Sequence, residues 1–440
     1  MQAGTPANKP ISIMRIEKSV IAAHNEKELE SHREQFSFLG SQLEKKNVNT
    51  EQIIQKLIDF QIAIPSWALG AGATRFGRFS IGGEPSTLAD KINDMGIIHA
   101  LTKAAGAISL HIPWDIPEDT EAIKELAATY DIVFDAVNSN TFQDQADQEY
   151  SYKFGSLSHV DERVRRQAIT HNLKVIEYGK ALGSTSITVW LADGASFPGQ
   201  ANFRIALQHV QASLQEIHAA LPDDWRMLIE YKPYEPNFYS MVIPDWGTSL
   251  LLAEGCGEKA SCLVDLGHHL PNTNIEQIVA TLLMKGKLGG FHFNDSKYGD
   301  DDLTVGSIRP YQLFLIFNEL VAGIDKSNGS YPPPAWMIDA SHNLKDPLED
   351  LIQSLEGIRI AYVQAMLINH AELESAQQEY NVVVCQQILQ DAFRTDVRPI
   401  IREARLRAGG SISPLDLYRE ADTRGHLIKE RGMKSIASGL

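Results

Sequence analysis

Eight short apolar runs, separated by longer stretches of three-to-four-residue periodicity, constrain the fold more than any other feature of the chain. They are "QIAIPSW" (61–67), "AISLHIPW" (107–114), "DIVFDAVNSN" (131–140), "SITVWLADG" (186–194), "RMLIEYK" (226–232), "ASCLVDLGHH" (260–269), "GGFHFND" (289–295) and "AWMIDASHN" (335–343). Several are near-continuous in Ile, Val and Leu, the pattern of parallel strands covered on both faces. Between or after them lie helical patterns at 117–130, 161–183, 202–221, 274–286, 311–323 and 346–368. A strand–helix unit repeated eight times predicts an α/β protein of the (β/α)8, or TIM barrel, class. Element order does not dictate closure, so a doubly wound open sheet also fits the pattern.

Residues 59–372 are assigned to this barrel. Residues 1–58 read as a disordered tip, "MQAGTPANKP", and a helical N-terminal extension, and residues 373–440 as a C-terminal helical extension and tail. The apolar faces of both extensions require cover, from their own barrel or from another subunit.

The bulk numbers exclude several partners. Lys and Arg total 40 against 56 Asp and Glu, a formal net charge of −16, which argues against nucleic acid or an anionic membrane as partner. The chain has 3 cysteines without C-x-x-C spacing, no secretory leader pattern and no apolar run long enough to span a bilayer. A cytoplasmic protein is expected.

Chemistry in such a barrel sits where strands end and βα loops begin. The last four strands deliver Glu230, Asp265, His292 and Asp339 toward that end. Three converging carboxylates without a cation would repel in a partly desolvated pocket. Oxygen ligands with one imidazole suit Mn²⁺, Co²⁺ or Mg²⁺. A second set, His268, Asp300 and Asp302, is placed to hold another ion, because carboxylates at i and i+2 project to one side of an extended loop and leave Asp301 over. Asp193 and Asp245 read as helix N-caps. His111, His269 and Lys232 read as ligand-side or ordinary rim residues, and His342 as a site residue or a core histidine. The loop "GAGATRFGRFSIGGEP" (70–85) lacks the G-K-[ST] ending of a phosphate loop and reads as a lid or a plain surface loop.

The stretches "PSWALGAGATRF", "SLHIPWD", "NSNTF", "YKFGSLSH", "TVWLADGASFPGQ", "CLVDLGHHLPNTNIE", "GGFHFNDSKYGDDDL" and "MIDASHN" resemble the L-rhamnose isomerases of broad aldose specificity, over about residues 55–405. The resemblance implies a homotetramer with two divalent ions per subunit, commonly Mn²⁺, interconverting L-rhamnose and L-rhamnulose and also accepting D-allose and D-allulose. It assigns one ion to Glu230, Asp265, His292 and Asp339, and the catalytic ion to His268, Asp300 and Asp302 with Asp265 close to both. It places Trp67, His111, Trp114, Trp190, Lys232 and Ser341 around the sugar, with Phe76 as a lid residue that reaches a neighbouring subunit. Catalytic duty falls to Lys232, Asp339, Ser341 and His111. Tyr231 stands where a histidine is expected, and its position between Glu230 and Lys232 predicts that it points away from the pocket.

Two closely spaced cations would polarise O1 and O2 of an aldose together, which favours a hydride shift. The alternatives are a single-metal sugar epimerase of the same barrel class, a metal-dependent abasic-site endonuclease and a non-catalytic, metal-stabilised sugar-binding protein.

Overall fold

A computed structural model describes residues 15–70, 79–326, 333–340 and 344–434. The eight apolar runs form eight parallel strands: β1 Ala63–Pro65, β2 Ala107–Ile112, β3 Val133–Ser139, β4 Ser186–Val189, β5 Arg226–Glu230, β6 Ala260–Asp265, β7 Leu288–Phe293 and β8 Ala335–Ile338. They pair in sequence order and β1 pairs with β8, so the sheet closes into a barrel and the open-sheet alternative falls.

Each strand is followed by a helix, and most of these helices start on a side chain suited to the purpose. Asp119, Asp161, Asn202, Asp245, Asn274 and Asp346 each accept a hydrogen bond from a first-turn N–H. The expectation for Asp245 is met. Asp193 is corrected: its carboxylate caps no helix but accepts from the N–H and hydroxyl of both Ser156 and Ser158, at 2.6–2.9 Å, and so pins that loop.

Two barrel helices, Leu88–Thr102 and Trp246–Cys256, lie in stretches where the sequence shows no clear stripe. The first is buried nearly all round, including Lys91, Asn93 and Asp94, because the C-terminal helices cover its outer face. A helix covered on two sides has no reason to be amphipathic.

The main core lies between strands and helices, while Ala136, Leu228, Leu263 and Ala335 form a separate small cluster among the strands. The paired glycines of β7 belong to that close packing: a Cβ at Gly289 would lie 2.6 Å from Leu228 Cδ2.

The extensions are covered by the protein itself. Leu39, Leu43, Ile53, Ile54 and Leu57 of the N-terminal helices pack with Ile400, Ile401 and Ala404 of the C-terminal helix Arg398–Arg407, around Val363 of the last barrel helix. Farther on, Arg424 of helix Thr423–Arg431 donates to Asp346 at 2.6 and 2.9 Å and to the carbonyls of Gly82 and Gly83 at 3.3 Å, tying the chain after β1 to the chain after β8. No single helix among the described residues is long and apolar enough to cross a membrane.

Candidate active site at the barrel mouth

The strand ends gather the expected residues. Glu230 closes β5, Asp265 closes β6, His292 lies on β7 and Asp339 follows β8 directly. Register sets Asp265 beside His292. His292 Nδ1 is 3.2 Å from Glu230 Oε1 and 3.6 Å from both Asp265 Oδ2 and Asp339 Oδ2. One ligand atom from each of Glu230, Asp265 and His292 falls within 4.8 Å of the others, and the same holds for Asp265, His268 and Asp300. Asp265 is common to both groups. Asp339 and Asp302 line the same cavity outside these two tight groups.

The loop after β7 delivers its carboxylates through an unusual backbone. The Asp300 N–H donates to Gly267 O at 2.7 Å, and Asp300 and Asp302 both have φ of 49°. Aspartate tolerates this left-handed region better than most residues. Asp301 is spent on the loop, where its Oδ2 accepts from the N–H groups of Lys297 and Tyr298 at 2.6 and 2.9 Å.

Charge is unevenly distributed. Burial alone would raise the Glu230 carboxyl, but His292 and His268 outweigh it and hold the pKa down at about 2. Burial would lower His292, yet Glu230, Asp265 and Asp339 hold it well above the ordinary imidazole range. Burial pushes Asp339 up instead. The group therefore favours a positive charge at its centre.

Asp265 Oδ2 is buried and accepts no hydrogen bond among the described residues. An orphan carboxylate oxygen among carboxylates and imidazole is the donor set of a hard divalent cation. The residues fit such an ion.

Facing the carboxylates is an aromatic wall, and together they bound a cavity that opens at the barrel mouth. Trp67, His111, Phe142 and Trp190 line it. Trp67 donates its indole N–H to Asp339 Oδ1 at 2.9 Å. Burial drives His111 down to about 3, so its ring is neutral. Lys232 Nζ stands 2.5 Å from Asp300 Oδ2 and 5.4 Å from the centre of the Trp190 ring. Trp114 packs against His111 and Phe142, at 4.8 and 5.9 Å between ring centres, rather than lining the cavity itself.

Phe76, Ser341 and His342 lie outside the described residues. His269 is not at the rim: its Nε2 meets the Tyr231 hydroxyl at 2.7 Å behind the ligands, and both side chains are buried. Tyr231 thus points away from the cavity, as its place in the strand indicates.

Sequence reasoning missed Asn138, Ser139, Phe142 and Thr188, all of which line the cavity. The strand-end rule that found the carboxylates applies equally to "NSN" at the end of β3.

No family model matches the chain. It is 48% identical over 426 residues to a probable sugar isomerase of Rhizobium meliloti, a match that spans 97% of this chain and 98% of that protein. A probable sugar isomerase of Mesorhizobium japonicum is 49% identical over 404 residues, with 92% and 94% covered. Among solved structures, a xylose isomerase domain protein from Alicyclobacillus acidocaldarius superposes with a TM-score of 0.50 at 12% identity, covering 70% of this chain and 99% of that one. That likeness speaks for the fold alone.

Proposed function

The chain belongs to the family of these probable sugar isomerases, and on that premise we propose that it interconverts aldoses and ketoses with two divalent ions, Mn²⁺ foremost. L-Rhamnose and L-rhamnulose are the pair the sequence resemblance points to, with D-allose and D-allulose as related substrates. The observation that carries the reading is that Asp265 is shared by two ligand groups, which suits a pair of neighbouring ions. Glu230, Asp265, His292 and Asp339 would hold one ion, and Asp265, His268, Asp300 and Asp302 the other. When bound, such ions supply Lewis-acid polarisation of the sugar's O1 and O2.

The chain's own residues do the rest. Trp67, Phe142 and Trp190 offer flat apolar faces to the C–H side of the sugar and exclude water from it. Lys232 places a cation where an oxygen develops negative charge. Abstraction of the C2 proton would need a base with a pKa near working pH. His111, at about 3, is too weak, and Lys232 beside Asp300 is a cation. Transfer of the C2 hydrogen to C1 as hydride, with the O2 proton passing to O1, needs neither.

A single-metal epimerase would leave His268 and Asp300 without employment. The test is incubation of Mn²⁺-loaded protein with L-rhamnose, D-allose and L-mannose and comparison of kcat/KM for ketose formation. Ketose from L-rhamnose is expected. A folded, metal-loaded protein that binds these sugars but releases no ketose would overturn the proposal and leave a binding protein, while a C3 epimer from a ketose would leave an epimerase.

A further inference from the structure

Behind the aromatic wall lies a buried ion pair that the proposed reaction does not use. Lys91 Nζ donates to Asp115 Oδ1 at 2.7 Å, with the two side chains 1% and 2% exposed. Lys91 lies near the start of helix Leu88–Thr102, and Asp115 in the turn after β2. Burying such a pair costs both ions their hydration, and apolar replacements are often as stable. Its presence therefore calls for something else that it holds.

Asp115 Oδ2 accepts from the backbone N–H of His111 at 2.8 Å and from the Ser66 hydroxyl. The Asp115 N–H returns to His111 O at 3.0 Å. Each partner is joined to an aromatic ring: Ser66 precedes Trp67, Asp115 follows Trp114, and His111 lies between the two rings. Ring centres are 5.0 Å apart for Trp67 and His111 and 4.8 Å for His111 and Trp114. One carboxylate thus fastens segments from β1 and β2 together. Lys91, held on its Oδ1, leaves Oδ2 aimed at Ser66 and His111.

We infer that the Lys91–Asp115 pair is a positioning device for the wall rings Trp67 and His111 and for Trp114 packed behind them, and that it sets affinity for the sugar rather than retention of metal. The affinity clause rests on the proposed function, whereas the positioning of the rings does not. The ligand groups around His292 and His268 receive no hydrogen bond from Lys91 or Asp115. Trp67 donates to Asp339, one of the proposed ligands, so metal per subunit is among the readouts.

Either single substitution would strand a buried charge, so the test uses paired replacements. Lys91→Met/Asp115→Leu removes all three side-chain hydrogen bonds without leaving a charge, and Lys91→Met/Asp115→Asn retains one acceptor. The readouts are metal per subunit, steady-state kinetics, and ¹⁹F NMR of protein labelled with 5-fluorotryptophan, with Trp67 and Trp114 assigned by replacement. The Leu variant is expected to keep its metal, with KM raised about tenfold and kcat within about threefold, the split expected when ground-state binding is lost. The Trp67 and Trp114 resonances should move while those of Trp225, Trp246 and Trp336 stay. The Asn variant should fall between the Leu variant and the parent, and it carries the test if the Leu variant fails to fold.

A folded variant with parental KM and parental Trp67 and Trp114 resonances would overturn the inference. Loss of metal with a fall in kcat at unchanged KM would also overturn it, by making the pair a support for the ligands. If the parent isomerises no sugar, the proposed function and the affinity clause fall together, and the ¹⁹F spectra still decide whether the pair positions the rings.

Discussion

Lys232 Nζ lies 2.5 Å from Asp300 Oδ2, while the other oxygen of that carboxylate is 3.1 Å from His268 Nε2. The loop-borne group is thus already partly neutralised by a lysine, whereas Glu230 in the group around His292 meets the imidazoles of His292 and His268, each at 3.2 Å. A cation bound at the His268 group must share Asp300 with Lys232. The two ligand groups should therefore differ in affinity.

Chelation should reveal the difference. Dialysis against EDTA, followed by metal analysis per subunit, is expected to show the Asp300 group emptying first and activity vanishing with it. Asp302→Asn should stay folded, keep one tightly held ion and lose activity by about a hundredfold. Near-parental turnover in this variant would remove Asp302 from the reaction.

Tyr231 and His269 offer a contrast, since both are buried beside the ligands without lining the cavity. Tyr231→Phe leaves His269 Nε2 without its partner, an expected cost of about 1–3 kcal/mol in stability. Urea unfolding should show that loss, with kcat/KM close to the parent. A large fall in kcat at unchanged stability would place the hydroxyl in the reaction.

The pH dependence of stability can be read at Asp346. Burial would raise its pKa, but Arg424 and Tyr418 outweigh burial and hold it below the usual carboxylate range. A depressed folded pKa gives stability that is present above the unfolded value, about 4, and is lost as pH falls through the lower folded value. Asp346→Asn should therefore melt below the parent at pH 7, with the gap closing as pH falls below about 4. A gap that stays constant to pH 2 would mean the carboxylate's charge contributes nothing.

Assembly is a separate matter. In helix Val382–Phe393, Ile388, Leu389 and Phe393 pack against the protein's own core, leaving Val382 and Val383 exposed. Exposed aromatic side chains also lie after β4 and β5, where Phe197 and Phe238 are 72% and 75% exposed and the rings of Phe203 and Tyr239 are 6.2 Å apart. Clustered exposed aromatics are common at sites of association, which makes these residues the ones to replace. Light scattering is expected to give a homotetramer, and Phe197→Asp/Phe238→Asp a smaller species. A monomer mass for the parent at micromolar concentration would contradict this.

The fold was legible because several of the eight strands are near-continuous in apolar residues, a pattern few surface elements imitate. Glu230, Asp265, His292 and Asp339 were legible for the same reason, as charges at the ends of such strands. Asp115 was not, since a lone aspartate in a turn looks the same whether it faces water or a buried lysine brought from an earlier helix. Asn138 and Thr188 escaped because uncharged polar residues at strand ends are ordinary, and only the closed barrel turns them toward the carboxylates. Asp193 misled because capping is a local role, whereas its serine partners lie more than thirty residues earlier.

The route of the hydrogen remains the sharpest prediction. Proton abstraction at C2 would pass the hydrogen to a side chain that exchanges with water, whereas a hydride shift carries it straight to C1. The cavity argues for the shift: burial holds His111 at about 3, and Lys232 is occupied as the counter-charge of Asp300. C2-deuterated L-rhamnose turned over in ordinary water should yield ketose with deuterium retained at C1. A shielded proton transfer would also retain some label, so the measurement is made at low conversion and repeated with unlabelled sugar in D₂O. Deuterium entering C1 from the solvent in that second experiment, together with washout in the first, would sink the hydride shift. His111 would then be the first residue to replace, because its ring belongs to the cavity wall and is not one of the proposed metal ligands.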